Sequence, residues 1–193
     1  MKQAAFGPLR ESVLAQAFGD VIEIGFGTGA NVPFYARDIR SVTAIDPNPG
    51  MVSIARAQTS NQQRLVSRVQ WMIASGEALP FLNSSFDSVV STMTLCSVHK
   101  ISFAIQEIHR VLKPGGKFLF LEHGQSPDPS VRRWQDILTP YWKHLGDGCH
   151  LNRPMAELLQ TQSWAIRSLR TFYLPRVPKP FAYFYQGCAV KTG

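Results

Sequence analysis

Five short apolar runs, each carrying β-branched residues, recur between Val21 and His123 and are separated by stretches of helical period. They are Val21–Ile24, Ser41–Asp46 (SVTAID), Arg68–Ala74 (RVQWMIA), Phe86–Met93 (FDSVVSTM) and Gly116–His123 (GKFLFLEH), and their length and composition predict strands. Val32–Arg37, Pro49–Thr59 and Ser102–Leu112 read as helices, the last with a stripe of Phe103, Ile105, Ile108, Val111 and Leu112. Strands alternating with helices imply parallel strands joined by right-handed crossovers. The expected fold is therefore α/β, with a doubly wound sheet. Past His123 the pattern changes: a Pro-rich loop becomes a helix bearing Trp134, Ile137, Leu138, Tyr141 and Trp142, followed by a helix at Pro154–Gln162. Strands at Trp164–Thr171 and within Phe181–Val190 then predict an antiparallel pair closing the sheet.

At 193 residues and 45% hydrophobic, the chain is long enough for one well-buried domain and short for two. No apolar run approaches the roughly 20 residues that span a bilayer, and Gly7, Pro8, Arg10 and Glu11 interrupt the N-terminus. Neither a signal peptide nor an anchor is expected. Cys96, Cys149 and Cys188 are far apart, odd in number and without a CxxC, so neither a disulfide framework nor a zinc site is expected. A reducing cytoplasm is the expected compartment. Residues 1–99 hold seven Lys/Arg against seven Asp/Glu, and residues 100–193 thirteen against six, so the whole excess of +7 lies in the second half. Only Arg132 and Arg133 are adjacent there. That dispersion predicts a solvated basic surface with weak attraction to anionic lipid, and no specific nucleic acid.

The first run leads into Gly25-x-Gly27-x-Gly29. Alone, this spacing fits a phosphate cradle, a dinucleotide loop, a nucleoside loop or a tight turn. Asp46, about 20 residues on at the end of the second strand, stands where a carboxylate accepts both hydroxyls of a ribose. Its other reading is the start of the turn Asp46-Pro47-Asn48-Pro49-Gly50 and a cap on the next helix. Loop and carboxylate together favour an adenosine-like ligand. A dinucleotide wants GxGxxG, and Glu23, two residues before the loop, would repel a pyrophosphate but suits an ammonium. The combination favours S-adenosylmethionine, with the amides of Gly76 and Glu77 near the adenine edge.

The chain resembles the class I S-adenosylmethionine-dependent methyltransferases. The resemblance rests on VIEIGFGTGANVPFY, VTAIDPNPGM, GEALPF, SFDSVVST and IHRVLKPGGKFLFLEH, five motifs in order over about the first 123 residues. It implies a Rossmann-like, mostly parallel seven-stranded sheet with the last strand antiparallel. It also implies backbone contacts at Gly25, Gly27 and Gly29, ribose binding at Asp46 and adenine contacts at Gly76 and Glu77. With these go Glu23, Pro47 and Met93 as cofactor-binding candidates. Ser75 departs from the Asp that many relatives place there, which leaves the backbone to meet the adenine. Phe26 stands where Cys is usual and reads as pocket wall or core. Residues 1–123 are the expected cofactor core of a single 1–193 domain, and 124–193 the acceptor-site segment and closing strands.

A narrower similarity, to the methyltransferase-like 7 group of alkyl thiol methyltransferases, rests on TLCSV, RVLKPGG, EHG, DILTPYW and GDGCHLNR. It implies a small, partly apolar acceptor, with a thiol as first expectation. A quinone-pathway or phospholipid-headgroup methyltransferase is the second, and a cofactor- or RNA-binding protein without catalysis the third. His123 and Asp147 are the candidate catalytic residues; a strand-end hydrogen bond and a turn before Gly148 are their structural alternatives. Trp134, Tyr141 and Trp142 are candidate walls of an acceptor pocket or plain core. Cys96 and His99 border the site, and Cys149 is a weak candidate nucleophile.

Overall fold

A computed structural model describes residues 6–36, 39–61 and 67–193. In chain order the elements are α1 (Gly7–Leu14), β1 (Asp20–Ile24), a 3-10 turn (Val32–Phe34), β2 (Ser41–Asp46), α2 (Pro49–Thr59) and β3 (Val69–Ile73). Next come β4 (Phe86–Thr92), α3 (Ile101–Val111), β5 (Leu112–His123), α4 (Pro129–Leu145), α5 (Met155–Leu159), β6 (Trp164–Tyr173), a 3-10 turn (Lys179–Phe181) and β7 (Tyr183–Lys191). They form one seven-stranded sheet ordered β3-β2-β1-β4-β5-β7-β6. β1 to β5 pair in parallel, and β7 inserts antiparallel between β5 and β6.

Helices on both faces explain why the central strands read as continuous apolar runs rather than alternating ones. Ile22, Val89, Phe118 and Phe120 point to the face covered by α3 and α5, packing with Ile105, Ile108 and Met155. Val21, Val90, Leu119 and Leu121 point to the other, with Val13 and Leu14 of α1 and Ala55 of α2. Leu14, Ile105 and Phe118 are fully excluded from solvent, and each such side chain stabilises the fold by about 1.5–3 kcal/mol relative to exposure. The edge strand β6 is exposed along most of its length, and its Arg167 and Arg170 oppose edge-to-edge pairing.

Several expectations are corrected. α1 lay in a stretch read only as interrupted; Pro8 in its first turn starts a helix rather than preventing one. The helix expected over Val32–Arg37 is a three-residue 3-10 turn, and Arg37 lies outside the described residues. Phe103 leaves the apolar stripe of α3: it is 53% exposed, with the Lys100 ammonium 5.6 Å from its ring centre. The strand expected from Gly116 begins at Leu112, so Pro114-Gly115-Gly116 falls inside β5, where the register passes from Phe86↔Leu112 to Ser88↔Lys117. Those residues bulge out of the ladder, with Gly115 at φ +76°.

Candidate active site

β1 and β4 are sheet neighbours, but their crossovers leave in opposite directions, which opens a crevice beyond the strands' carboxyl ends. A cleft of about 570 Å³ lies there. Its lining includes eight of the expected cofactor residues: Glu23, Gly25, Gly27, Asp46, Pro47, Gly76, Glu77 and Met93. Gly29 is elsewhere, because a Cβ on it would press against Thr59, Ala55 and Trp71; it is small to let α2 pack.

The other two glycines serve the cleft differently. Gly25, at φ +71°, donates to the Ile45 carbonyl at 2.8 Å, and a Cβ there would collide with Thr94. Gly27, at φ +50°, faces open space with no atom within 4 Å of where its Cβ would stand. That is bare backbone presented to a ligand. Asp46 Oδ2 accepts from the Gly27 amide at 3.0 Å and Oδ1 from the Asn48 amide at 2.9 Å. The carboxylate therefore ties the glycine loop to the β2 end. The cap of α2 falls to Asn48, whose Oδ1 accepts from Gly50 N. At the adenine end, Glu77 N donates to Ser75 Oγ at 3.2 Å, so the residue that departs from the usual Asp takes up one of the two amides expected there. Glu77 Oε1 accepts from Lys100 N at 2.9 Å. Phe26 is both wall and core, edge-on to Trp71 at 4.9 Å.

Beneath the loop Glu23 sits in a polar cluster whose other members the sequence did not announce. Glu23 is buried, accepting from Asn31 Nδ2 at 2.9 Å and the Tyr35 hydroxyl at 2.8 Å. Burial raises its pKa to about 7 against the lowering by those hydrogen bonds and by Arg10. Arg10, from α1, donates to Asn31 Oδ1 and to Thr92 Oγ1, the latter at 2.7 Å, and lines the cleft. A second buried carboxylate, Glu122, accepts from Ser91 Oγ at 2.6 Å and from Thr94 N at 3.0 Å, and burial raises it likewise to about 7. It holds the turn after β4 in which Met93 takes φ +55°, strained backbone for a residue with a side chain. A glutamate inside FLFLEH was the available signal, since a carboxylate in an apolar strand needs partners.

Ionised Glu122 costs stability as pH rises through its folded pKa, because the unfolded chain has already lost that proton near pH 4.5. Glu122→Gln is therefore expected to gain on wild type by on the order of 3 kcal/mol between pH 5 and pH 8. Denaturant titrations of both chains at the two pH values check this. A pH-independent difference would show that Glu122 is not raised.

Past Met93 a second cavity of about 460 Å³ opens, sharing Met93, Ser97 and Asp147 with the cleft. α4 starts at Asp128, whose carboxylate accepts from Ser130 N, with Pro129 preset at the first helical position. It ends at Gly146, where a Cβ would strike Trp142. Asp147 (φ +51°) and Gly148 (φ +77°) then turn the chain back, and His150 N donates to the Cys96 carbonyl at 2.8 Å. Arg153 clamps the same segment from the Cys96 and Val98 carbonyls. The result is an apolar chamber walled by Trp142, Leu151, Val177, Phe181 and Phe184, containing Cys96, Cys149 and His123. His123 is 5% exposed, edge-on to Phe184, and neither ring nitrogen has a hydrogen-bond partner among the described residues. The expected strand-end hydrogen bond is not made. Trp134 and Tyr141, expected as pocket walls or core, are 57% and 72% exposed; Trp142 alone of the three lines the chamber.

Residues 22–120 match the family model described as "Methyltransferase domain". The chain belongs to that family. It is 43% identical to rat (Rattus norvegicus) thiol S-methyltransferase TMT1B over 135 residues, covering 69% of this chain and 54% of the relative. It is 33% identical to human (Homo sapiens) thiol S-methyltransferase TMT1A over 189 residues, covering 95% and 77%. The chain thus spans about half the length of the rat relative. The fold matches a geranyl diphosphate methyltransferase solved in complex with SAM at a TM-score of 0.75, 10% identity and coverage of 98% and 85%. Of the described residues, no helix is long and apolar enough to cross a membrane, and no group of three or more His, Cys, Asp or Glu is arranged to hold a metal.

Proposed function

We propose that this methyltransferase binds S-adenosylmethionine in the cleft and transfers its methyl group to the sulfur of a small, partly apolar thiol held in the adjoining chamber. The cleft residues fit the cofactor: Gly27 offers open backbone, Asp46 retains a lone pair on each oxygen for a ribose diol, and Glu23, raised to about 7 by burial, is a carboxyl that a bound ammonium would draw into its charged form. When bound, the cofactor supplies an electrophilic methyl on a sulfonium. The chain's task is to line the acceptor up with the S–CH₃ axis, exclude water and manage one proton.

The observation that carries the acceptor is the chamber itself: an apolar room beside the cleft whose polar groups suit sulfur. Cys149 has its pKa lowered, chiefly by the neighbouring Cys96 and further by the proximity of His123 and Trp142, which favours that residue's own thiolate. His123, buried with both nitrogens unpaired, is positioned to take a proton from an incoming thiol. Asp147 lines both spaces and shapes the passage between them through its left-handed backbone. A neighbouring cavity of about 510 Å³ under α1 offers Arg10, Thr28 and Gln58 but no base, and suits this chemistry less. The thiol S-methyltransferases match 69–95% of the chain, whereas the quinone-pathway methyltransferases at 35–38% identity match only 49–55% of it, which supports the thiol reading over quinols. A methyl-transfer screen over alkyl thiols, quinols, phosphatidylethanolamine and RNA tests it. Product on sulfur is expected, and product on carbon or RNA with none on sulfur would overturn it.

The same reading puts the protein in a reducing, cytoplasmic compartment, supported by three free cysteines, and weakly on anionic lipid. Trp134, Ile137, Tyr141 and Leu145 form an exposed stripe along α4, beside Arg132, Arg133 and Lys143. Binding to phosphatidylglycerol vesicles that falls several-fold in Trp134→Ser/Tyr141→Ser is expected; unchanged sedimentation would remove the lipid surface as a partner.

A further inference from the structure

Cys96 and Cys149 arrive in the chamber from elements 53 positions apart, and the fold takes trouble to bring them together. Two consecutive left-handed residues, a 2.8 Å backbone bond from His150 to Cys96, and Gly148 packed against the Ser97 carbonyl bring the two cysteines into the lining of one chamber. Both line the chamber, and both are free. Beside them His123 is 5% exposed with no partner for either nitrogen, and it lines the same space. Simple packing does not ask for this set. A buried small hydrophobe needs neither a second thiol nor an unsatisfied imidazole.

We propose that Cys149 and Cys96 form a thiol–disulfide exchange site in the chamber, taking small apolar disulfides and releasing them there as thiols. The inference rests on reading this chamber as the acceptor's room. Cys149, as thiolate, attacks one sulfur of R–S–S–R; the Cys149–S–S–R bond forms and RS⁻ leaves. Cys96 then attacks the Cys149 sulfur, its proton passing to a released thiolate. The Cys96–Cys149 disulfide forms and the second sulfur departs. One disulfide is reduced and one formed, two electrons moving from the protein to the substrate, and the products are one thiol and one thiolate. Cys149 and Cys96 are suited to attacking and resolving roles respectively: their proximity lowers the pKa of the first and raises that of the second. The released thiolate lies next to the methyl donor's cleft, across Met93 and Ser97. The chamber would thus accept the oxidised form of its own methyl acceptor, for one turnover per reduced chain.

The test uses the reduced full chain and 4,4′-dithiodipyridine, a neutral aromatic disulfide, following thione absorbance and intact mass. Wild type is expected to release two equivalents in a fast phase and to lose two hydrogens in mass, while Cys188, buried within β7, reacts slowly. Cys96→Ser should release one equivalent and retain one pyridylthio adduct on Cys149. Cys149→Ser and Cys149→Ala should each lose the fast phase by at least 100-fold. The fast rate should change only a few-fold from pH 8 to pH 6, where a thiol of pKa about 8.5 slows roughly 70-fold. One common rate for all three cysteines, a fast phase surviving in the Cys149 variants, or wild-type behaviour in Cys96→Ser would each overturn the site. Calorimetry with S-adenosylmethionine and thiol methylation on the same samples separate the two readings. A chain that methylates thiols without fast exchange refutes this inference alone, and one that exchanges but never methylates sulfur refutes the acceptor.

Discussion

Asp46→Ala is expected to bind S-adenosylmethionine at least about 100-fold more weakly than wild type, measured by calorimetry. The carboxylate is 8% exposed, and each oxygen already accepts one backbone amide, from Gly27 at 3.0 Å and Asn48 at 2.9 Å. A carboxylate oxygen has capacity for a second donor, so a ribose diol completes the set. Hydrogen bonds to a charged group contribute about 1.5–3 kcal/mol each, and two of them set the 100-fold floor. The alanine also frees the glycine loop from β2, a further loss of preorganisation. The fold should survive, because Asn48 caps α2 independently and the β1–β2 ladder does not involve the side chain. Asp46→Asn keeps an acceptor without the charge and should fall between the two. Equal affinity in wild type and Asp46→Ala would reduce Asp46 to a turn residue and remove the central support for the cofactor.

The cofactor half of this molecule was legible because its signals are local. A strand ending in glycines, with a carboxylate at the end of the next strand, constrains backbone that sits within about 25 residues, and periodicity supplies the sheet around it. Yet the three glycines that look equivalent in sequence do three things, and only Gly27 faces open space. Spacing cannot separate a glycine needed for a ligand from one needed for a helix. Arg10 and Glu122 were missed because their meaning is tertiary. Arg10 reaches Asn31 and Thr92 across 21 and 82 positions, and Glu122, in the neighbouring strand β5, meets Thr94 across 28. The acceptor chamber was harder still. Trp134, Tyr141 and Trp142 share one helix, and which of them faces inward depends on the docking of α4 against the Lys179–Phe181 turn, where Trp142 meets Phe181 at 4.6 Å. Cys149 and His123 were visible as residue types, but nothing in the 25 intervening positions says that they share a wall.

His123→Gln is expected to slow methylation of an alkyl thiol by on the order of 30- to 100-fold at pH 7, while S-adenosylmethionine binds as in wild type. A thiol of pKa about 8.5 is only a few per cent ionised at neutral pH, and an apolar chamber raises that pKa further by penalising the charged form. A base that removes the proton as the sulfur attacks recovers that deficit. His123 is suited to this because it lines the chamber and not the cleft and its nitrogens have no hydrogen-bond partner among the described residues, so its loss should fall on kcat and leave the cofactor's affinity alone. The decisive comparison is an aromatic thiol with a pKa near 6, already ionised at pH 7, which should slow by no more than a few-fold. A loss of the same size for both acceptors would mean that His123 acts by packing against Phe184, 5.3 Å away, and not on the proton. Raising the pH separates the two roles again: the alkyl-thiol rate of His123→Gln should climb towards wild type as the thiol ionises unaided, whereas a packing defect keeps the ratio constant.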